Sequence, residues 1–126
     1  MIIGIGIDAV DIARIERMFA NNRERMMQRL FTVDEIAFLA TKPLPTQHMA
    51  VRLAAKEATF KALAGNELAR HIGWRDIETR NRTDGSPEIR LYERAATRFA
   101  ELEATTIHVS LSHSAATGVA VVIVER

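Results

Sequence analysis

Residues Ile2 to Asp8 alternate in the period of two that marks a β-strand, with Ile3, Ile5 and Ile7 on one side and Ile2, Gly4, Gly6 and Asp8 on the other. Glycines in a strand mark places where a backbone or a ligand comes close. Asp8 therefore either stands at the end of a row cleared of side chains or simply ends the strand in a turn. Asp11 is a predicted N-cap for a helix with Ile12, Ile15 and Phe19 on one face. Its continuation to residue 29 carries Arg14, Arg17, Arg23, Arg25 and Arg29 against Asp11, Glu16 and Glu24, with Met18, Met26 and Met27 as adaptable apolar contacts. Such a surface suits an acidic protein partner, or is a solvated helical face.

Thr32 followed three residues later by Glu35 is a capping box that opens a short helix to about Ala40. Lys42-Pro43-Leu44-Pro45 breaks it, and Thr46 is the predicted cap of a long helix that stops near Gly65. At about 100° per residue, Leu53, Phe60, Leu63 and Ala64 cover one arc of that helix and Ala54, Ala58 and Ala62 another, with Glu57 and Lys61 between them. An alanine row at i, i+4 lets a neighbour approach closely, so a carboxylate and an ammonium one turn apart sit beside a packed interface. Idle charge is expensive there. After Gly65 the period shortens. Trp74 to Arg80 predicts a strand, Thr83-Asp84-Gly85-Ser86 a hairpin turn and Pro87 to Leu91 the return strand. Tyr92 to about Leu102 is helical. Thr105 to His113 alternates Ile107, Val109 and Leu111 against His108, Ser110 and Ser112, and Ala116 to Val124 is a more uniformly apolar strand. His113 thus falls at the corner of a final hairpin, where functional loops lie.

No repeat, low-complexity tract or linker interrupts the 126 residues, and 48% hydrophobic content supports one modest core. Lys plus Arg total 17 against 16 acidic residues, so no global field points to nucleic acid. Cysteine is absent, which excludes disulfides and thiolate metal sites and fits a reducing cytoplasm. The initial apolar run meets Asp8 too early for a signal peptide or membrane span, giving the expectation of a soluble, cytoplasmic protein. There is no P-loop, dinucleotide fingerprint or GxSxG elbow. His48 has no second histidine at metal-ligand spacing and reads as structural or exposed. What remains is Asp8 and Glu57 with the basic set Arg52, Lys56 and Lys61. Hard carboxylate oxygens suit Mg²⁺, which takes one or two of them and completes its shell with water and phosphate oxygens, while Lys and Arg neutralise the remaining phosphate charge.

Three separated segments then carry a resemblance: Gly4-Ile-Gly6-Ile-Asp8 followed by Ile12-Ala-Arg14-Ile15, Arg52-Leu-Ala-Ala-Lys56-Glu57-Ala58 followed by Lys61-Ala62, and Val109-Ser-Leu-Ser112-His113 before the last strand. With Phe31-Thr32-x-x-Glu35, Trp74-x-Asp76-Ile77-Glu78 and Gly85-x-Pro87, their order and spacing make the chain resemble the holo-acyl-carrier-protein synthases over essentially its full length. These are the small bacterial class of 4′-phosphopantetheinyl transferases. The resemblance implies an α+β fold, a mainly antiparallel sheet packed against a long central helix, as a single domain over residues 1–126. It implies transfer of phosphopantetheine from coenzyme A to a serine of apo-acyl carrier protein in fatty acid biosynthesis, with release of adenosine 3′,5′-bisphosphate. Mg²⁺ is the implied cofactor, held by Asp8 and Glu57, with Glu57 and Lys61 as the catalytic pair. Arg52, Lys56, Lys61, Gly65, Gly85, Pro87, Ser112 and His113 are the implied coenzyme contacts. Ala64-Gly65-Asn66 departs from the more glycine-rich helix exit of relatives. Arg14, Met18 and Arg25 are the implied contacts to the acidic carrier. The family's homotrimer, with sites between subunits, is also implied. The serine proton goes to a metal-associated water or to a nearby carboxylate. On the residues alone, a different metal-dependent phosphotransferase and a non-catalytic carrier-binding module stay open.

Overall fold

A computed structural model describes residues 1–126. In chain order it comprises β1 (Ile2–Asp11), α1 (Ile12–Met18), α2 (Arg23–Leu30), α3 (Val33–Ala40), α4 (Pro45–Leu63), α5 (Glu67–Arg70), a 3₁₀ turn (Trp74–Asp76), β2 (Ile77–Asn81), β3 (Pro87–Leu91), α6 (Glu93–Glu101), β4 (Thr106–His113) and β5 (Thr117–Glu125). The fold is α+β. One antiparallel sheet has the order β1-β5-β4, and β2 and β3 form a separate antiparallel hairpin turned at Gly85, whose φ of +87° suits glycine.

Helix α4 lies against one face of the larger sheet. The glycine face of β1 meets its alanine row: a Cβ built on Gly4 would lie 2.2 Å from the Ala62 carbonyl oxygen, and one on Gly6 1.8 Å from that of Ala58. This intimacy fixes how far Asp8, two residues beyond Gly6, can stand from α4. On the opposite face of the sheet Ile5 and Ile7 are 61% and 59% exposed, and pair in register with Ile123 and Val121. No element of the chain covers them.

Local chemistry explains the boundaries, including five that differ from the sequence reading. The capping box opens α3 as expected, Glu35 N donating to Thr32 Oγ1 at 3.2 Å and Thr32 N to Glu35 Oε1 at 3.0 Å. Thr46 does not cap α4. Pro45 takes the first helical position, where its missing N–H costs nothing, and Leu44 occupies the cap without a side-chain hydrogen bond. Asp11 stands at the N-cap of α1 but its side chain accepts no capping bond, because strand pairing continues to Asp11 opposite Thr117. The basic segment is two helices rather than one, broken where Asn22 adopts φ 55°. The β2–β3 hairpin begins at Ile77, not Trp74, since Trp74–Asp76 form a 3₁₀ turn in which Gly73 N donates to Asp76 Oδ2 at 2.9 Å. Ala64, placed on an apolar arc by periodicity, lies just past α4 and is exposed.

Candidate active site

The end of the glycine row and the middle of α4 bring Asp8, Glu57 and Lys61 together. Lys61 Nζ donates to the Ile7 carbonyl at 2.8 Å and to Asp8 Oδ1 at 3.2 Å. Asp8 Oδ2 is buried and has no partner. Burial first, then the close Asp8 carboxylate, push the Glu57 carboxyl up to about 7, against the opposing pull of Arg14 and Lys61. A crowded carboxyl pair with an orphaned oxygen is short of positive charge. Beside it, Arg14, Met18 and Glu57 line a cavity of about 70 Å³ with Val10, Leu53 and Trp74. Arg14, on α1, therefore shares a cavity with Glu57 and acts on it through its charge, while Arg25 is exposed on α2.

Lys56 is a correction. Its side chain is fully excluded from solvent, and its Nζ donates to Glu35 Oε1 at 2.7 Å, to the Trp74 carbonyl at 2.9 Å and to the Ile77 carbonyl. An ammonium has three donors, and none is left for a phosphate. Glu35 Oε2 in turn accepts from Thr79 N at 3.1 Å, so the pair ties α3, α4 and β2 into one buried unit directly behind Glu57.

Arg52 instead reaches an open pocket of about 370 Å³ with Gly85, Pro87 and His113, joined by Phe38, Lys42 and His48. The Arg52 guanidinium lies 4.0 Å from the Phe38 ring centre, and its Nε is buried without a partner. The sequence reading missed Phe38, Lys42 and His48. The available signal was the spacing of His48 and Arg52, i and i+4 on one helical face. Two other expected coenzyme contacts fall elsewhere. Gly65, at φ 127°, lines a separate pocket of about 390 Å³ with Phe60, Asn66 and Arg70 at the exit of α4. Ser112 pairs with Val119 on the uncovered sheet face.

The model of the 4′-phosphopantetheinyl transferase superfamily matches residues 4–121. The chain belongs to that superfamily. Among curated relatives, the holo-[acyl-carrier-protein] synthase of Geobacter metallireducens is 44% identical over 126 residues, covering all of this chain and 99% of its own length. That of Geobacter sulfurreducens is 43% identical with the same coverage. Solved structures agree. The holo-[acyl-carrier-protein] synthase of Neisseria meningitidis superposes with a TM-score of 0.88 at 27% identity, with full coverage of both chains. The Bacillus anthracis enzyme in complex with CoA (3′,5′-ADP) gives 0.79 at 34% identity, covering 99% of this chain and 97% of that one. The Helicobacter pylori enzyme in complex with coenzyme A gives 0.80 at 28%, covering 96% and 99%.

The transferase-family chain presents its charged groups on two sides of one helix. Five residues separate Arg52 from Glu57, a rotation of about 140°, and nine separate His48 from Glu57, about 180° and about 13 Å of helix rise. Lys61, four residues on, stays on the Glu57 side.

Proposed function

We propose that the chain works as one catalytic domain that transfers the 4′-phosphopantetheine arm of coenzyme A to a serine of an apo-acyl carrier protein. Serine oxygen attacks the phosphorus that carries the arm, the bridging pyrophosphate bond breaks, and adenosine 3′,5′-bisphosphate leaves. The observation that carries this reading is the Asp8–Glu57–Lys61 cluster at the family's motif positions, in a chain of 44% identity to a named synthase.

The donor set fits Mg²⁺. Nowhere does the chain gather three or more His, Cys, Asp or Glu side chains that could hold a metal. Two carboxylates, one with an orphaned buried oxygen and the other pushed up to about 7, fit an ion that uses few protein ligands and leaves positions for phosphate and water. Asp8 and Glu57 would hold it. When bound, the ion stabilises charge on the pyrophosphate as the bond breaks. Lys61 is half-exposed and already poised by Ile7 and Asp8, so its ammonium adds to that stabilisation.

Because the reacting pyrophosphate belongs with Asp8 and Glu57, the cations on the far side of α4 serve another phosphate, the 3′-phosphate of coenzyme A. One coenzyme cannot wrap from Arg52 around a buried helix to Glu57 of the same chain. We therefore place each site between subunits of a homotrimer, the uncovered Ile5–Ile7 face packing on a neighbouring copy. The acidic carrier docks on Arg14, Met18 and Arg25, where charge steers the encounter. Reaction in the cytoplasm accords with the cysteine-free sequence, and no helix is long and apolar enough to cross a membrane.

Mass spectrometry of several apo-acyl carrier proteins incubated with the protein, coenzyme A and Mg²⁺ tests the reading. The phosphopantetheine mass gain is expected, and its absence with folded protein across all carriers defeats the proposal.

A further inference from the structure

We infer that His48 is a specificity residue for the terminal phosphate of the coenzyme, a protonatable fourth member of the Lys42–Arg52–His113 cradle. The inference rests on reading that pocket as the 3′-phosphate site. Three of its groups converge on one aromatic plate: Arg52 lies 4.0 Å from the centre of the Phe38 ring, Lys42 Nζ 4.8 Å from it, and the His48 ring meets it edge-on at 5.8 Å. His113 faces them from the end of β4. None of the twelve lining residues is acidic, so this is a concentration of positive charge with nothing in the pocket to balance it. Arg52 is 3% exposed, and its Nε is buried without an acceptor. A buried guanidinium donor left unpaired beside an open pocket fits an anion supplied from outside.

His48 belongs to this set by position. It stands one turn before Arg52 on α4, and its own backbone carbonyl accepts from Arg52 Nη1 at 3.5 Å. The charged groups facing it are Arg52 from its own helix, Lys42 from the turn before α4 and His113 from β4. The hairpin contributes only Asn81, Gly85 and Pro87. Glu35 pairs with Lys56 and acts on Arg52 rather than on His48. Burial and these three cations hold the free His48 imidazole below its ordinary value. A phosphate dianion in the cradle reverses that field and draws a proton onto the ring. Binding of the 3′-phosphate is thereby coupled to proton uptake, and affinity rises as pH falls from 8 toward 6, where the phosphate itself, with a second pKa of about 6, begins to protonate and ends the rise.

Titration calorimetry with adenosine 3′,5′-bisphosphate and adenosine 5′-monophosphate, on wild type, His48→Gln and His48→Phe, tests this. The phenylalanine variant keeps the ring contact with Phe38 and guards against a purely structural loss. For wild type, affinity for the bisphosphate is expected to strengthen several-fold between pH 8 and pH 6. Both variants should weaken it roughly tenfold at pH 6, the scale of one charged hydrogen bond, while leaving the monophosphate unaffected. The His48 ring signals in NMR should move toward the protonated form only with the bisphosphate. Equal losses for both nucleotides, or retention of the pH dependence in His48→Gln, overturn the role of His48. If wild type itself does not prefer the bisphosphate, the assignment of the pocket fails first and the inference with it.

Discussion

Gly6 and Ala58 meet so closely that a Cβ on Gly6 would lie 1.8 Å from the Ala58 carbonyl oxygen. Backbone cannot yield as a flexible side chain does. Gly6→Ala should therefore push β1 off α4 and cost about 3 kcal/mol or more, with Gly4→Ala somewhat milder at 2.2 Å from the Ala62 carbonyl oxygen. Gly85→Ala is the control. Nothing lies within 4 Å, so only the strain of φ +87° remains, about 1 kcal/mol. Urea unfolding of the three variants checks the order.

Lys56→Met leaves Glu35 as a buried charge without its partner and should cost about 3–5 kcal/mol. Adding Glu35→Leu should recover part of that loss, giving a strong coupling in a double-mutant cycle. Since Lys56 has no donor free for phosphate, the KM for coenzyme A of whatever Lys56→Met protein folds should match wild type. A large rise in that KM would return Lys56 to the coenzyme site.

Glu57 sets the pH behaviour of the metal-free protein. Its carboxyl titrates at about 7 in the fold against 4.5 ordinarily, so between those values the folded state holds more protons than the unfolded one. This group's contribution to stability is present in full below 4.5 and declines as pH rises to 7. Glu57→Gln should remove that slope while leaving the fold intact, and should abolish Mg²⁺-dependent turnover. Mg²⁺ affinity in the wild type should rise with pH up to about 7, with proton release on binding. Calorimetry in buffers of different ionisation enthalpy measures that release.

Arg14 is both a docking group and a neighbour of Glu57. Arg14→Ala should raise the KM for carrier protein by roughly tenfold, more than that for coenzyme A. It should also displace the pH–rate profile to higher pH, because Arg14 is one of the two groups that draw the Glu57 carboxyl down. A loss confined to coenzyme A would place Arg14 outside the carrier interface.

Subunit mixing tests the shared site. Arg52→Ala and Glu57→Gln should each be severely impaired alone. In randomly co-assembled trimers, about a quarter of sites combine an intact Arg52 from one chain with an intact Glu57 from another. Activity should recover to about that level. No recovery on mixing would mean that each chain builds its site alone.

Much of the fold follows from short-range pattern. Period-two alternation marks β1 and β4, the Thr32–Glu35 capping box is an exchange of hydrogen bonds within four residues, and the Gly4–Gly6 row and the Ala54–Ala58–Ala62 row are complementary surfaces visible before their contact is known. The misplacements are local competitions. Pro45 outranks Thr46 at the start of α4, and strand pairing outlasts the cap chemistry of Asp11.

Sequence by itself thus determined most of the elements, the small-residue rows of β1 and α4, and the candidates Asp8, Glu57 and Lys61, because each rests on spacing within one segment or on charge placed beside an apolar arc, while the contact of the two rows came with the tertiary structure. Only the tertiary structure decided which buried cations are spent on internal partners. Lys56 and Arg52 lie four residues apart on one helix, yet Lys56 ends on Glu35 and two carbonyls while Arg52 opens onto a pocket beside Phe38, Lys42, His48 and His113. Helical periodicity gives the direction of a side chain. What waits for it there is supplied by α3, the β2–β3 hairpin and β4, segments distant in sequence, and that pairing is nonlocal.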